Sequence, residues 1–202
     1  MASITLALSG MQLGEALKAS IVLPMTMKRF VAVSSHRFER ATPSSRQPRI
    51  VAARDRSNMQ PTIEALEPLY QAHPENPRVL YEIGGAYDTD GQEEKVANFY
   101  GRALAHGLSG DLLRRCYLQY GSTLRNIGRV EESLAVFRTA RQTFPDSPSL
   151  ATFQAVTMHA AGRPKDAIAT LLQVIAEQVT TADIDRYKPA ILGNAAYIRD
   201  LQ

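Results

Sequence analysis

The chain has 202 residues, 45% of them apolar and 21% charged, with one cysteine, Cys116. That is enough for one or two domains with a buried core. It excludes an intramolecular disulfide, and no apolar run approaches the ~20 residues that a membrane-crossing helix needs. The net charge of +3 is unevenly spread: residues 1–58 hold nine Lys and Arg against three acids, whereas residues 59–202 hold fourteen against seventeen. The basic character therefore belongs to the leading segment, and no nucleic-acid partner is expected for the rest. A lone cysteine fits a reducing compartment. The cytoplasm is the expected location, with import into an organelle the alternative if residues 1–58 are a transit peptide.

Residues 33–60 are rich in Ser, Arg and Pro, and Ala41-Thr42-Pro43-Ser44-Ser45-Arg46-Gln47-Pro48-Arg49 has the composition of a disordered stretch. Three readings of residues 1–58 stay open. The first is a disordered tail or an Arg- and Ser-rich targeting segment. The second is a secretory signal, opposed by a first basic residue as late as Lys18 and by the lack of a compact apolar run after a basic start. The third is an over-extended start, with translation beginning at Met59. The expected domain is then residues 59–202, with 1–58 outside the fold.

The first predicted helix covers Thr62–Tyr70 and runs into His73-Pro74-Glu75-Asn76-Pro77. Pro68 lacks an N–H and is expected to kink that helix or delay its start. Beyond it the sequence repeats. Gly91, Gly128 and Gly162 each end a helix-like run and open a polar turn, at spacings of 37 and 34 residues. Glycine suits a position after a helix because it adopts positive φ without a Cβ penalty.

Flanking residues keep the register. Leu80-x-x-Ile83-Gly84-x-x-Tyr87 recurs as Tyr117-x-x-Tyr120-Gly121-x-x-Leu124 and, weakened, as Ala151-x-x-Gln154-Ala155-x-x-Met158. After each turn come Val96, Tyr100 and Ala103, then Ser133, Phe137 and Ala140, then Ala167, Leu171 and Val174. A mid-helix glycine costs about 1 kcal/mol relative to alanine, so Gly84 and Gly121 mark places where a partner helix must come close. The three extra residues between the first two units are expected in a loop at Gly107–Asp111. Phe144-Pro145-Asp146-Ser147-Pro148 closes the second unit much as His73–Pro77 closes the leading helix, which makes Thr62–Tyr70 the second helix of a half-repeat. A last helix, Asp183 to Leu201, is expected to cap the array with a polar outer face of Asp183, Asp185, Arg186, Lys188, Arg199 and Asp200, its middle left open by Pro189 and Gly193.

These offsets resemble the tetratricopeptide repeat, whose pattern runs from a large residue through Leu-Gly and Tyr to Ala, Phe and Pro. The match is fullest at Gly121, Phe137, Ala140 and Pro145. Over residues 62–178 the chain is similar to a group of small bacterial tetratricopeptide proteins without settled activity. That likeness is carried by Arg114-Arg115, by Leu118 to Arg129 and by Asn76-Pro77-Arg78. The resemblance implies an all-α fold: a right-handed superhelix of antiparallel helix hairpins, with about three repeats, an N-terminal half-repeat and a C-terminal capping helix. It also implies a protein or peptide partner held by a concave groove lined by the first helix of each hairpin.

Carried over by position, that groove takes Arg78, Tyr81, Glu82, Gly85, Asp88 and Thr89 from the first unit. The second contributes Arg115, Leu118, Gln119, Ser122, Arg125 and Asn126, and the third Ser149, Thr152, Phe153, Val156 and His159. Arg115, Gln119, Ser122 and Asn126 fall on one helical stripe with Arg125 beside it. Guanidinium, amide and hydroxyl groups suit a carboxylate or an extended backbone; an ordinary solvated face is the alternative, as is pairing of Arg115 or Arg125 with Glu82 or Asp88. Some family members grip a terminal carboxylate with a Lys/Asn/Arg clamp. The equivalent positions here, Tyr81, Gly85, Gln119, Ser149 and Phe153, are not basic, so that activity is not implied.

No cofactor or metal is expected. Asp88-x-Asp90-Gly91 lacks the flanking carboxylates of a calcium loop, and the four histidines show no zinc spacing. Cys116 has no histidine nearby and reads as a small buried residue. An enzyme is therefore not expected. The leading function is a protein- or peptide-binding adaptor or scaffold. The alternatives are a structural subunit that self-associates or docks through outer or terminal helices, and a small-molecule site built on Glu82, Asp88, Arg115 and Arg125.

Overall fold

The computed structural model describes residues 43–201. Those residues form nine helices and no strand: α1 (Pro43–Ala52), α2 (Gln60–Ala72), α3 (Pro77–Thr89), α4 (Glu93–Ala105), α5 (Gly110–Asn126), α6 (Val130–Thr143), α7 (Pro148–Ala160), α8 (Pro164–Gln178) and α9 (Ala182–Asp200). The described helices are too short or too polar to cross a membrane. The all-α repeat expected from the spacing is present. Three hairpins, α3–α4, α5–α6 and α7–α8, follow one another. The second helix of each of the first two packs on the next first helix, and first helices touch along the array, α3 to α5 and α5 to α7.

The hairpin turns share one geometry. Gly91, Gly128 and Gly162 have φ of 79°, 81° and 72°. The following N–H groups of Gln92, Arg129 and Arg163 donate to the carbonyls of Tyr87, Leu124 and Met158, at 3.0, 2.8 and 2.9 Å. This bond reaches back five residues and satisfies a carbonyl the helix end leaves orphaned. Acids then open the next helix, Glu93 and Glu94, Glu131 and Glu132, and Asp166, where they complement its positive end. At the other hairpin ends, Asn76 Oδ1 accepts from the N–H groups of Arg78 and Val79, and Ser147 Oγ accepts from Leu150 N–H. Each caps a helix whose first residue is proline.

The close approach inferred at the mid-helix glycines is real. A Cβ on Gly84 would lie 3.0 Å from Phe99 Cβ, and one on Gly121 2.5 Å from the Phe137 ring. Tyr100 and Phe137 are wholly buried against these glycines. One core gathers Met59, Ile63, Leu66, Leu69, Val79 and Ile83. A second gathers Leu80, Tyr81, Val96, Tyr100 and Cys116, and a third Phe137, Ala140 and Leu150.

Four expectations are corrected or refined. The three extra residues do not widen a loop. They lengthen α5 to 17 residues against 13 in α3 and α7, because Gly110 and Asp111 extend the helix backward. In the repeat register Arg114 stands where α3 and α7 begin with Pro77 and Pro148, so four residues, just over one turn, precede it.

Pro68 does not delay α2, which runs unbroken from Gln60 to Ala72. The proline is exposed, so the Glu64 carbonyl it leaves unpaired can face water. Pro189 and Gly193 likewise lie inside a continuous α9.

The capping helix exposes Asp183, Asp185, Arg186, Arg199 and Asp200 as expected, with large rings among them. Tyr187 and Tyr197 are 53% and 64% exposed, and α9 packs along α8 without touching α7. Finally, α1 falls within the 1–58 segment expected to stand outside the fold. It packs on α2 and α3, as the first helix of a hairpin does, with Ile50 against the Met59–Ile63 core. The expectations for residues 1–42 lie outside the described residues.

Candidate functional site

A cleft of about 310 Å³ opens between the first two hairpins. Helix α3 supplies Tyr81, Glu82, Gly85 and Thr89 to its wall; α5 supplies Arg114, Arg115, Leu118 and Gln119. The turn between α1 and α2 adds Arg54 and Arg56. The spacing that puts these residues together is helical: Tyr81 and Gly85 are one turn apart on α3, as Arg115 and Gln119 are on α5. Glycine at 85 leaves the wall open, since a Cβ there would meet only the Tyr100 hydroxyl, at 3.6 Å.

The cleft is cationic around one carboxylate. Burial raises the Glu82 carboxyl above its ordinary value, and Arg54, Arg78 and Arg115 partly offset that. Among the described residues Glu82 makes no ion pair. Tyr81 is 7% exposed, and burial, with the Glu82 charge second, pushes its phenol up to about 12. It is therefore a neutral group at any working pH.

Arg114 and Arg115 of α5 are held by its first turn. Asp111 Oδ1 accepts from Arg114 Nη2 at 2.7 Å, and its Oδ2 pairs with Arg115 Nε at 2.6 Å. Exposed pairs of this kind add little stability, but here they orient two guanidinium groups toward one cleft. The hydrogen bond from Arg114 and the charges of both arginines lower the Asp111 carboxyl. Arg114 Nη1 also donates to Ser149 Oγ of α7 at 3.3 Å.

Arg114 lines a second, more open concavity of about 530 Å³. Its floor is Phe144, Pro145 and Pro148, with Ser147 and Ser149 at the start of α7. Unlike the first cleft, it presents mainly hydrocarbon.

The residues picked from sequence are thus divided. Tyr81, Glu82, Arg115 and Gln119 meet in the cleft. Gln119 Oε1 is buried there and has no partner among the described residues, an acceptor left open where buried polar groups are usually paired. Arg78 stands exposed at the start of α3 and reaches Glu82 through its charge alone. Ser122 turns its hydroxyl back to the Leu118 carbonyl, at 2.8 Å. Asn126 donates to Glu93 Oε1 of the preceding hairpin at 3.0 Å. Arg125 donates from Nη2 to Asn126 Oδ1, while its Nη1 is buried and unpartnered among the described residues; burial brings its guanidinium below the ordinary arginine value. Phe153 lies apart on α7, 37% exposed.

The pairings considered for Arg115 and Arg125 with Glu82 or Asp88 do not form. Arg115 takes Asp111, and Asp88 accepts the Tyr100 hydroxyl at 3.1 Å. Sequence reasoning missed Arg54 and Arg56, which were set aside with the basic leader, and left Arg114 out of the groove. The doublet Arg114-Arg115 and its helical offset from Asp111 were the available signal.

Cys116 is wholly buried, its sulfur 3.8 Å from the Tyr100 carbonyl; burial pushes the thiol up to about 12, which leaves almost no nucleophilic thiolate. Among the described residues no group of three or more His, Cys, Asp and Glu side chains is placed to hold a metal ion.

A family model described as Tetratrico peptide repeat matches residues 77–197, from the first residue of α3 into the last turn of α9. No curated protein matches the chain.

Proposed function

We propose that this protein, which belongs to the tetratrico peptide repeat family, binds a partner protein through the cleft between α3 and α5. Repeats of this family generally mediate protein–protein interaction and are typically non-enzymatic. The observation that carries the reading is the concentration of Arg54, Arg56, Arg114 and Arg115 around Tyr81 and Gln119. The guanidinium groups supply donors of the kind the carbonyls and carboxylates of an extended peptide need. The packing of α1 on α2 and α3 supports drawing the start of the binding unit before Arg54 instead of at Met59.

The test is a comparison of proteins retained by the full chain and by Arg115→Glu/Gln119→Lys, with Arg138→Glu on exposed α6 surface as control. Loss of a partner in the cleft variant alone, with an unchanged melting curve, supports the assignment. Equal retention by all three proteins refutes it.

One observation favours a second reading, self-association through the C-terminal hairpin. Ile168, Ile175, Val179, Tyr187, Tyr197 and Leu201 are all exposed there. Light scattering over a concentration series would show a dimer that Tyr187→Ser/Tyr197→Ser disrupts; a strict monomer rules it out.

A further inference from the structure

Two neighbouring concavities of opposite character share one side chain. The α3–α5 cleft presents four arginines against Glu82, with Asp111 outside it taking up part of the charge of Arg114 and Arg115. Arg54 and Arg56 are exposed and have no ion pair among the described residues; Arg54 acts on Glu82 through its charge alone. The second concavity is walled by Phe144, Pro145 and Pro148 and is open to solvent. Arg114 lines both, and its bond to Ser149 fixes it at their border.

We propose that the occupant is an extended segment of a partner protein with an acidic side chain seated among Arg54, Arg56 and Arg115 and an apolar side chain on Phe144 and Pro148. The proposal rests on the cleft being the binding site. Charge complementarity selects the acidic element. Two parts of the fold outside the repeat pattern build the acceptor: the α1–α2 turn brings Arg54 and Arg56, and the additional turn of α5 brings Asp111, which orients Arg114 and Arg115. The apolar element follows from the hydrocarbon floor next door. An extended chain advances ~3.3 Å per residue, so a peptide series of graded spacing finds the separation that spans both places across Arg114. Glu82 sets the threshold by repelling the ligand's carboxylate, so a single weak acid gains less than a well-placed one. Recognition at exposed guanidinium groups is screened by salt.

The test is fluorescence anisotropy on the full chain with labelled, C-terminally amidated Gly/Ser peptides. Each carries one Asp and one Leu separated by two, four or six residues. Matched arms replace Asp by Asn, replace Leu by Ser, or move the only carboxylate to a free C-terminus. The expected result is binding of at least one Asp/Leu spacing, weakened roughly tenfold by either replacement and weakened further by raising salt. Arg54→Glu/Arg56→Glu should abolish the Asp-over-Asn preference, and Glu82→Gln should tighten Asp/Leu binding about threefold. No measurable binding at any spacing, equal affinity for Asp and Asn peptides, or a preference unchanged in Arg54→Glu/Arg56→Glu overturns the proposal. Tightest binding by the free-terminus arm overturns the side-chain assignment in favour of a terminal carboxylate. If the peptides fail while Arg115→Glu/Gln119→Lys still loses its partner, the chemistry proposed here is wrong and the cleft assignment survives.

Discussion

Gly121→Ala is the substitution that most directly weighs helix propensity against packing. Alanine is better than glycine in a helix interior by about 1 kcal/mol, so on local grounds the change stabilises. The tertiary structure reverses the sign. The new Cβ would lie 2.5, 2.7 and 2.9 Å from Cε2, Cζ and Cδ2 of Phe137. That ring is wholly buried, packed among Ala140, Leu150, Tyr117 and Leu118. Overpacking of this kind costs ~1–3 kcal/mol. The net effect is a loss of up to about 2 kcal/mol, or as much as roughly 8 °C in melting temperature for a domain of this size.

Gly193 is the internal control. It also lies inside a helix, and nothing is within 4 Å of a Cβ placed there. Gly193→Ala should therefore raise the melting temperature by about 2–4 °C. Thermal and urea unfolding of both variants decide the matter, and Phe137→Leu in the Gly121→Ala background should recover part of the loss through coupling. If Gly121→Ala stabilises as Gly193→Ala does, the inferred close approach of α5 and α6 is wrong.

Glu82→Gln should raise stability at neutral pH. A carboxyl whose folded value lies above its unfolded one binds its proton more tightly when folded, so stability falls as pH rises through that window and stays lowered above it. The gain at pH 7 should shrink as pH falls below the ordinary glutamate range, where Glu82 is protonated in both states; a gain independent of pH would contradict the burial argument. Cys116 should resist a thiol-specific disulfide reagent at pH 8 in the native protein and react at once in denaturant. Rapid labelling of the native chain would show that its 0% exposure does not hold in solution.

Much of the fold could be read in the sequence because it is written locally. The glycines at 91, 128 and 162 carry the positive φ that a helix-to-helix turn requires, and the small residue at 84, 121 and 155 recurs wherever two helices cross closely. Each of these is a near-neighbour requirement of the backbone, so it leaves a periodic mark in the order of residues.

The cleft was less legible. Tyr81, Glu82, Arg115 and Gln119 could be found from repeat register, because helical spacing puts them on one face. The polar stripe of α5 could not be resolved further, because register fixes which way a side chain points and says nothing of what waits there. Ser122 found its own helix's carbonyl, and Asn126 found Glu93.

Arg54 and Arg56 are the clearest case of what only the tertiary structure decided. They precede the repeats in a segment whose composition suggested disorder, and no periodicity links them to Glu82. They reach the cleft because α1 packs on α2 and α3, using Ile50 and a handful of contacts distant in sequence. The sequence determined the hairpins and their turns through backbone sterics and helical periodicity. Which charges gather beside Glu82 was settled by long-range packing, because burial of an apolar side chain depends on its partners in space and not on its neighbours in the chain.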